Sequence, residues 1–307
     1  MLDTTDKNII NALSRNARVS NVRLARQLGI AVSTVARRTE ALLEEHVISI
    51  KALPNPYKMG YKASAVIGID CDLNRVDEAC SKLTENGHLT LVVTTFGRFD
   101  VLMIADYADS MLLNHFIKQE LPQIPGVLAV EPYFVSETYK RYSGMFKNRE
   151  SSETNILLDE NNLQLIEALN KNGRISYSQL AEDLGISVAT VSRRVAFLVK
   201  EEVIKITVVP NPAKFGYLAI AGVVLHADYT RVDAIVASLA ESKEAQVVMK
   251  LSNSFDVFLI LQIPDPVQLY RYLKEKIAKI EGVLNIETFV ISEIVKLSTT
   301  ATGLKLD

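Results

Sequence analysis

The chain of 307 residues is short of cysteine, lacks long apolar segments and carries almost no net charge. Its two cysteines, Cys71 and Cys80, are predicted to be packing residues, and such sparse use fits a reducing cytosol. The longest uncharged apolar segments, around Tyr217–Leu225 and Val257–Ile263, have the length of strands and fall short of the ~18 residues of a membrane-spanning helix. The acidic start, Met1–Asp6, indicates a helix rather than a signal peptide. We therefore expect a cytoplasmic protein with no membrane partner.

The sequence repeats itself once. Residues 2–140 align with residues 158–296 at a constant shift of 156 and without a gap, and about 50 of roughly 140 aligned positions are identical. This period is far longer than the roughly 20–50 residues of solenoid repeats, so it predicts two complete modules, each with its own core. The shared segments include Pro54-Asn-Pro56 with Pro210-Asn-Pro212, and Phe99-Asp-Val101 with Phe255-Asp-Val257.

The formal net charge of −2 provides no overall field that would attract nucleic acid, so any DNA contact must come from a local patch. The two halves differ in this respect. Residues 2–50 carry seven Lys and Arg against five Asp and Glu, whereas residues 158–206 carry six against seven. The composition, 48% hydrophobic and 23% charged, indicates packed cores and argues against disorder.

Three short helices are predicted at the start of each half. Asp3 is a good N-cap for a helix that ends near Asn16, and Ser20 caps a second helix that ends at Gly29. A third helix is predicted from Val32 to about Glu45, with its apolar residues in one arc. This is the helix-turn-helix pattern, whose third helix lies in the DNA major groove. The side of that helix opposite the apolar arc holds Ser33, Thr34, Arg37, Arg38 and Ala41.

A strand at Val47–Ile50 and a hinge rich in turn residues lead from the helices into a second domain. Its sequence predicts, in order, a strand at 63–70, a helix at 75–85, strands at 89–95 and 101–107, a helix at 110–121 and a strand at 127–139. The order βαββαβ is that of the ferredoxin-like split unit, an antiparallel sheet with two helices on one face. The other face needs a cover, and we expect the sheet of the other half to provide it, either within the same chain or by exchange with a second chain in self-association.

This arrangement resembles the Lrp/AsnC family of bacterial and archaeal transcription regulators. The family implies a winged helix-turn-helix for DNA and a small effector-binding module, in which two sheets stack face to face to make the dimer. Members usually have one such unit per chain, so a tandem fusion is unusual. The motifs that carry the resemblance are Leu2-Asp-x-x-Asp6, Arg18-Val-Ser, Leu24-Ala-x-x-Leu28-Gly29, Ser33-Thr-Val35, Arg38 and Gly97-x-x-Asp100.

The predicted fold class is therefore α+β: a winged helix-turn-helix plus a ferredoxin-like (βαββαβ) module, with the pair duplicated in one chain. Residues 1–53 and 155–209 are predicted as helix-turn-helix domains, 61–140 and 217–297 as ferredoxin-like effector and oligomerisation domains, and 141–154 as a polar linker. The tail, 298–307, resembles the linker in composition.

The sequence departs from the family pattern at three places. The glycine that usually follows the recognition helix is His46 in the first half and Glu202 in the second. Ala31 replaces the usual N-cap serine, which the second half keeps as Ser187; each of these changes weakens a helix end by about 1 kcal/mol. In the second half Asn253 stands where the first has Gly97, and this change bears on effector binding.

The predicted DNA contacts lie on the polar side of the third helices and in one loop. Arg37 points furthest from the core, and Ser33 and Thr34 sit at the helix N-terminus, where phosphate or base edges would be met. A solvated helix face is the alternative for the arginines on the helices, and a plain loop charge is the alternative for Arg18 and Arg174. The predicted set is Ser33, Thr34, Arg37, Arg38 and Arg18, with Thr190, Arg193, Arg194 and Arg174 in the second half.

The predicted effector contacts lie at a hairpin turn in each half. The resemblance implies that these turns form the rim of a pocket for an amino acid or similar small molecule. Turn chemistry is the alternative, with the carboxylates of Asp100 and Asp256 holding backbone N–H groups. Gly97 allows close approach, and Asn253 tolerates a left-handed conformation. The predicted set is Gly97, Arg98, Phe99 and Asp100, with Asn253 and Asp256, and the first turn is expected to be the better site.

No catalytic, metal or cofactor site is predicted, because none of the four histidines recurs between the halves and no Cys/His cluster has metal spacing. Two other functions remain open. Tetrapyrrole (sirohaem) decarboxylases share this architecture, but their histidine-containing segment corresponds here to Val93–Arg98, which has none. A metabolite-sensing module without DNA binding is the third reading, and the acidic Glu182-Asp183 favours it for the second half.

Overall fold

The computed structural model describes residues 2–141, 156 and 158–297. These residues form two compact units, and both halves of the sequence contribute to each. The first, which we call the helical unit, contains the described residues within 1–59 and 156–216; the second, the barrel unit, contains the described residues within 60–155 and 217–307. Apart from Arg141, the predicted linker at 141–154 and the predicted tail at 298–307 lie outside the described residues.

The elements follow the predicted order in both halves. Those of the first half are α1 (Thr4–Arg15), α2 (Asn21–Leu28), α3 (Val32–Glu44), β1 (Ile48–Pro54), β2 (Ala63–Cys71), α4 (Val76–Glu85), β3 (Leu89–Phe96), β4 (Val101–Tyr107), α5 (Ser110–His115) and β5 (Val127–Lys140). Those of the second half are α6 (Glu160–Lys171), α7 (Tyr177–Leu184), α8 (Val188–Lys200), β6 (Ile204–Pro210), β7 (Ala219–Ala227), α9 (Val232–Glu241), β8 (Ala245–Asn253), β9 (Phe255–Ile263), α10 (Pro266–Tyr272) and β10 (Val283–Leu297).

Local capping explains where the helices of the helical unit begin and end. The Asp3 carboxylate accepts a hydrogen bond from the N–H of Asp6, and the Ser20 hydroxyl accepts one from the N–H of Arg23, so both predicted N-caps are confirmed. Gly29 ends α2 in the left-handed conformation, with a φ of 68°. Ala31, which has no side-chain acceptor, makes no cap, whereas Ser187 accepts from the N–H of Thr190.

The strand after each third helix pairs with its counterpart from the other half. Strands β1 and β6 run antiparallel, from Ile48 opposite Pro210 to Pro54 opposite Ile204. Val208 of β6 joins the buried core of the first helix-turn-helix, together with Ile48 and Ile50 of β1. The two helix-turn-helix domains are therefore joined by a two-stranded sheet that uses one strand from each.

The barrel unit contains two ferredoxin-like sheets joined edge to edge. The strand order is β10-β3-β4-β2-β5-β8-β9-β7, closed into a barrel. The long strands make the closure: β5 pairs first with β2 and then with β8 of the other half, and β10 pairs with β7 and then with β3. The predicted α+β class and the duplicated βαββαβ order are confirmed.

The described residues of the barrel unit form three cores. In each half, one face of the sheet packs against that half's helices. The opposite faces of the two sheets meet in an interior core that contains Val66, Leu102 and Tyr133 from the first half and Val224, Phe258 and Phe289 from the second. The sheet face that each half leaves uncovered is thus buried by the other half of the same chain.

The predicted linker begins one residue too early. Arg141 is 2% exposed, and its guanidinium donates hydrogen bonds to the fully buried carboxylate of Asp106 and to the hydroxyl of Thr90. Burial raises the pKa of Asp106, but the charge and hydrogen bonds of Arg141, together with the hydrogen bonds from Ser64 and Thr90, lower it by more. The ion pair makes Arg141 part of the folded barrel unit.

Candidate DNA-binding and effector-binding sites

The two recognition helices present the residues that the sequence predicts on their outer side. In α3, Val35, Thr39 and Leu42 are buried, while Ser33 and Arg37 are exposed. In α8, Val191, Val195 and Leu198 are buried, while Arg193 is exposed and Thr190 is half-buried. Within residues 2–141 and 158–297, neither Arg37 nor Arg193 makes an ion pair, so both guanidinium groups remain available to an anionic partner.

Arg38 and Arg194 have internal partners. The Arg38 guanidinium bonds the carboxylates of Asp3 and Asp6 at 2.7 Å each, and this ties α3 to the start of α1. Arg194 repeats the contact with Asp159 and the amide oxygen of Asn162. The hydrogen bonds that Arg38 donates to Asp6 and Asp3 raise the pKa of its guanidinium group. The structure thus gives these two arginines a role in joining helices, which differs from the DNA contact that the sequence suggests.

Arg18 and Arg174 lie between the two helix-turn-helix domains. Arg18 donates hydrogen bonds of 2.8 Å to the carbonyl oxygens of Gly173 and Ile175, and it stacks over the ring of Tyr177 at 4.5 Å. Arg174 donates hydrogen bonds of 3.0 Å to the carbonyl oxygens of Ala17 and Val19 in return. These positions correspond under the shift of 156. Both guanidinium groups are bound to main-chain carbonyl groups of the opposite half, which gives them a role in joining the two domains, and their phosphate contact stays a prediction.

A groove of about 380 Å³ lies beside the recognition helix of the first half. It brings Arg37 next to Lys214, an exposed residue from the hinge of the second half. Lys214 is absent from the predicted set, although its recurrence as Lys58 in the first hinge was a signal that could have identified it. The groove is lined by Leu2, Asp6, Arg37, Arg38, Ala41, Leu42, Glu45, Val47 and Lys214.

The first hairpin turn is held in place by its own predicted effector residues. The Asp100 carboxylate accepts a hydrogen bond of 2.8 Å from the N–H of Cys71, which is the turn chemistry proposed as the alternative. Phe99 is 4% exposed and packs against Phe289 in the interior core, so it anchors the turn and does not line an open rim. Gly97 is exposed and has a φ of 132°, a conformation that favours glycine.

Arg98 connects this turn to both long strands of the barrel unit. Its guanidinium bonds the carboxylate of Glu131 in β5 at 2.8 Å and that of Glu287 in β10 at 3.2 Å. The two glutamates correspond under the shift of 156, so one arginine bridges equivalent positions of the two halves. The second half has no such bridge, since its residue at the position of Arg98 is Ser254.

The second turn has a different shape. The Asp256 carboxylate accepts a hydrogen bond of 2.8 Å from the N–H of Ala227, which matches Asp100. However, Asn253 ends β8 and pairs with Phe255, and the positive φ of 29° belongs to Ser254. The expectation that Asn253 replaces Gly97 in a left-handed conformation is therefore wrong, because its side chain is engaged with the neighbouring strand. Its amide oxygen accepts from the N–H of Phe134, and its amide nitrogen donates to the carbonyl oxygen of Pro132.

The described part of the chain provides neither a metal site nor a membrane-spanning helix. Across 2–141 and 158–297 there is no group of three or more His, Cys, Asp or Glu side chains placed to hold a metal ion. No helix in the same ranges is both long enough and apolar enough to cross a membrane.

Comparison with protein families identifies both kinds of domain in this chain. A winged helix-turn-helix DNA-binding domain matches residues 2–49 and 158–205. The Lrp/AsnC ligand binding domain matches residues 64–145 and 218–301, which is more than half of the chain. The chain belongs to the Lrp/AsnC family. It carries the family's two domains twice, so it is a tandem-duplicated member of a family of DNA-binding transcription regulators.

Individual Lrp/AsnC-type relatives match about one half of this chain and nearly the whole of their own length. An HTH-type transcriptional regulator of Pyrococcus horikoshii is 34% identical over 142 residues, which cover 46% of this chain and 90% of the relative. A second regulator of the same organism, LrpA, is 29% identical over 141 residues, which cover 46% of this chain and 100% of LrpA. Each aligns with one module of the duplicated Lrp/AsnC chain.

The solved structure of the siroheme decarboxylase NirDL resembles the whole duplicated chain. It superimposes with a TM-score of 0.67, covers 95% of this chain and 92% of its own, and is 13% identical. At that identity the likeness shows a shared fold. This Lrp/AsnC protein and NirDL thus have the same duplicated architecture.

The departures from the Lrp/AsnC pattern after the recognition helices have a visible consequence. His46 and Glu202 occupy the position where the family usually has glycine, and their φ values are 52° and 57°. The backbone keeps the left-handed conformation that glycine adopts without strain, and histidine is found in that conformation more often than glutamate. The strain at the helix end is therefore expected to be greater at Glu202 than at His46.

Proposed function

We propose that one chain supplies two DNA-reading helices that together recognise an imperfect palindrome, and that an amino acid or similar small molecule controls this binding. The observation that carries the DNA part is the joining of the two helix-turn-helix domains within the helical unit, by β1 with β6 and by the reciprocal contacts of Arg18 and Arg174. Two similar reading heads held together predict half-sites about 10 base pairs, or a multiple of that, apart.

The proposed contacts differ in what they read. Arg37 and Arg193 project from the middle of α3 and α8 without an ion-pair partner among the described residues and are the candidates for base edges. Ser33, Thr34 and Thr190 lie in the first turn of these helices, where hydroxyl groups and main-chain N–H groups can meet phosphate. Lys214 adds a cation beside Arg37 and is proposed as a phosphate contact.

The effector part of the proposal rests on the family's ligand-binding domain and on the first turn. Gly97 is exposed, and the carboxylate of Asp100 and the guanidinium of Arg98 lie within the same turn. Such a set carries both charges that a molecule with an ammonium and a carboxylate group needs, and a ligand carboxylate would exchange with Glu131 or Glu287 as the partner of Arg98. Because the two turns differ in shape, we assign the effector to the first.

The test starts from the DNA sites that the protein occupies in a footprint of fragmented genomic DNA. On such a site, the double variant Arg37→Ala/Arg193→Ala is expected to weaken specific binding by about 1–3 kcal/mol for each base-reading arginine that is removed. The matched control is Lys118→Ala/Lys274→Ala, which removes two exposed positive charges at equivalent positions of the barrel unit. Equal binding by wild type and the arginine double variant would show that the recognition face is wrongly assigned.

The shared fold with NirDL provides the alternative outcome. A chain that functions on tetrapyrroles would show a change in the visible absorption of an added iron-uroporphyrin, the class of analogue present in one NirDL structure. Such a change, together with no occupied DNA site, would favour the enzyme reading over the regulator.

A further inference from the structure

The two recognition helices carry the same arginine but different residues one turn after it. Helices α3 and α8 both have 13 residues, and their buried residues correspond under the shift of 156. Both helices therefore present Arg37 and Arg193 on the same outer side. Three residues later on that side, α3 has Glu40 and α8 has Ala196, and both of these residues are exposed.

Glu40 lies beside Arg37 on the outer side of α3. In an α-helix, three residues correspond to a rise of about 4.5 Å and to about 60° less than a full turn. Successive base pairs of a DNA duplex are about 3.4 Å apart. Neither residue forms an ion pair with another described residue. A base pair contacted by Arg37 therefore has a neighbour within reach of the Glu40 carboxylate.

The Glu40 carboxylate can only accept hydrogen bonds. In the major groove, cytosine presents a donor, its N4 amino group, whereas guanine and thymine present acceptors. Adenine also has a donor, but its N7 acceptor lies next to that donor and repels a carboxylate. A carboxylate close to DNA phosphates is disfavoured unless it meets a donor. Glu40 therefore selects cytosine partly by rejecting the other bases.

Ala196 occupies the equivalent place on α8 and presents only a methyl group. It cannot accept a hydrogen bond from cytosine, but it can pack against the C5-methyl group of thymine, an apolar contact that is common in the major groove. The negative charge that rejects other bases at Glu40 is absent. The two helices thus read equivalent base pairs differently, one through a carboxylate and the other through an apolar contact.

The helices that precede the recognition helices differ in charge as well. Arg23 and Arg26 are exposed on α2, and their counterparts on α7 are the exposed residues Gln179 and Glu182. In a helix-turn-helix, this preceding helix crosses the phosphate backbone. Phosphate contacts therefore favour the first helix-turn-helix domain over the second. Because the two domains differ in base contacts and in backbone contacts, the DNA site that they select together has a direction.

We propose that Glu40 and Ala196 set the direction of this DNA site. Arg37 and Arg193 each read a guanine, the base that arginine contacts most often. At the base pair beside it, the half-site bound by α3 presents a cytosine to Glu40, and the half-site bound by α8 presents a thymine to Ala196. This inference rests on the proposed DNA-binding function and adds the residues that make the palindrome imperfect.

The test is the selection of sites by the full-length chain from a library of randomised DNA duplexes. Wild type should select cytosine at one of two equivalent positions, with a preference of about tenfold, and thymine at the other, with a preference of about fourfold for one buried methyl group. Glu40→Ala should replace the cytosine by thymine, and Ala196→Glu should replace the thymine by cytosine. The double variant should therefore select a site in which the two bases are exchanged.

The matched control is Glu167→Ala, which removes a negative charge from an exposed position of α6 in the helical unit. It should leave the selected bases unchanged, since α6 is not a recognition helix. Glu40→Gln, which keeps the size of the side chain, replaces Glu40→Ala if that variant does not fold. It should select adenine, the base with which glutamine pairs.

The outcomes separate this inference from the DNA-binding function. If wild type selected no sequence, the DNA-binding function would fail and this inference with it. A selected site with the same base at both equivalent positions would overturn the inference and leave the DNA-binding function standing. An asymmetric site whose bases stay the same with Glu40→Ala and with Ala196→Glu would overturn the role of these two residues. Exchange of the two bases by the double variant would support it.

Discussion

Arg18 and Arg174 make equivalent contacts, each with the helix-turn-helix domain of the other half. Each guanidinium donates two hydrogen bonds to main-chain carbonyl groups of the opposite half, and the acceptors on one side correspond to those on the other under the shift of 156. Burial lowers the pKa of Arg174, and the nearby charge of Arg18 lowers it further. Two like charges are close together here, and the carbonyl dipoles around them compensate for that repulsion.

We expect that removing either arginine loosens the helical unit. Hydrogen bonds from charged donors contribute about 1.5–3 kcal/mol, so Arg18→Ala and Arg174→Ala should each lower the free energy of unfolding of this unit by about 2 kcal/mol. Chemical denaturation followed by circular dichroism measures this. Arg15→Ala, an exposed arginine at the end of α1, is the control and should change it little.

Removing the contacts of Arg18 and Arg174 should weaken binding to a palindrome of two half-sites more than binding to a single half-site. Without the arginine contacts, the two recognition helices are held less firmly, so binding to a palindrome should weaken while binding to a single half-site is unchanged. Titration of both DNA lengths by fluorescence anisotropy compares them. An equal decrease in affinity on both lengths would indicate that Arg18 contacts DNA directly, as the sequence suggests.

The contact between Asp3 and Arg38 predicts a dependence of stability on pH. The hydrogen bond from the N–H of Asp6 and the contact with Arg38 lower the pKa of Asp3 below its ordinary value of 3.8. The stability that this carboxylate contributes is therefore fully present above pH 3.8 and is lost as the pH falls through the lower folded-state pKa. Asp3→Asn, which keeps a capping oxygen, should be less stable than wild type at pH 6 and should approach it near pH 2. A difference in the free energy of unfolding between Asp3→Asn and wild type that stays constant over this pH range would contradict the role given to the Asp3 carboxylate.

The two recognition helices differ at their N-caps, which allows a paired experiment. Ala31 provides no acceptor, so Ala31→Ser should stabilise the helical unit by about 1 kcal/mol, and Ser187→Ala should destabilise it by about the same amount. Thermal unfolding of the two single variants and of the double variant measures these changes in stability. The double variant should resemble wild type, and a departure of more than about 0.5 kcal/mol would show that the two helix ends are coupled.

Asp100 can be tested without damaging the turn that it holds. Asp100→Asn keeps an oxygen for the N–H of Cys71 but removes the charge, so stability should change little, whereas affinity for an amino acid should fall if the carboxylate meets the ammonium group. Calorimetry on wild type, Asp100→Asn and Asp256→Asn compares the two halves. A decrease in affinity confined to the Asp256 variant would reverse the assignment to the first turn.

Local sequence determined most of the architecture. Asp3, Ser20 and Gly29 fix helix ends through contacts within four residues, and the alternation of apolar residues fixes the strands, so the helix-turn-helix and βαββαβ orders follow from patterns that a short window contains. The duplication itself is visible in the sequence. The helix expected at 110–121 is present, but it is an α-helix only at Ser110–His115 and continues as a π-helix and a 3₁₀ turn, a change of helix type that the apolar pattern does not reveal.

Only the tertiary structure decided which side chains of the predicted sites are available to bind a partner. Arg18 and Gly173 are 155 residues apart, Asn253 and Phe134 are 119 apart, and β1 pairs with β6 across the halves. A pattern in sequence indicates which face a side chain is on, but not whether another segment has already supplied its hydrogen-bond partner. That depends on packing between distant segments. For this reason Arg37 and Arg193 remain candidates for DNA contact, while Arg18, Arg38 and Asn253 have structural partners within the chain.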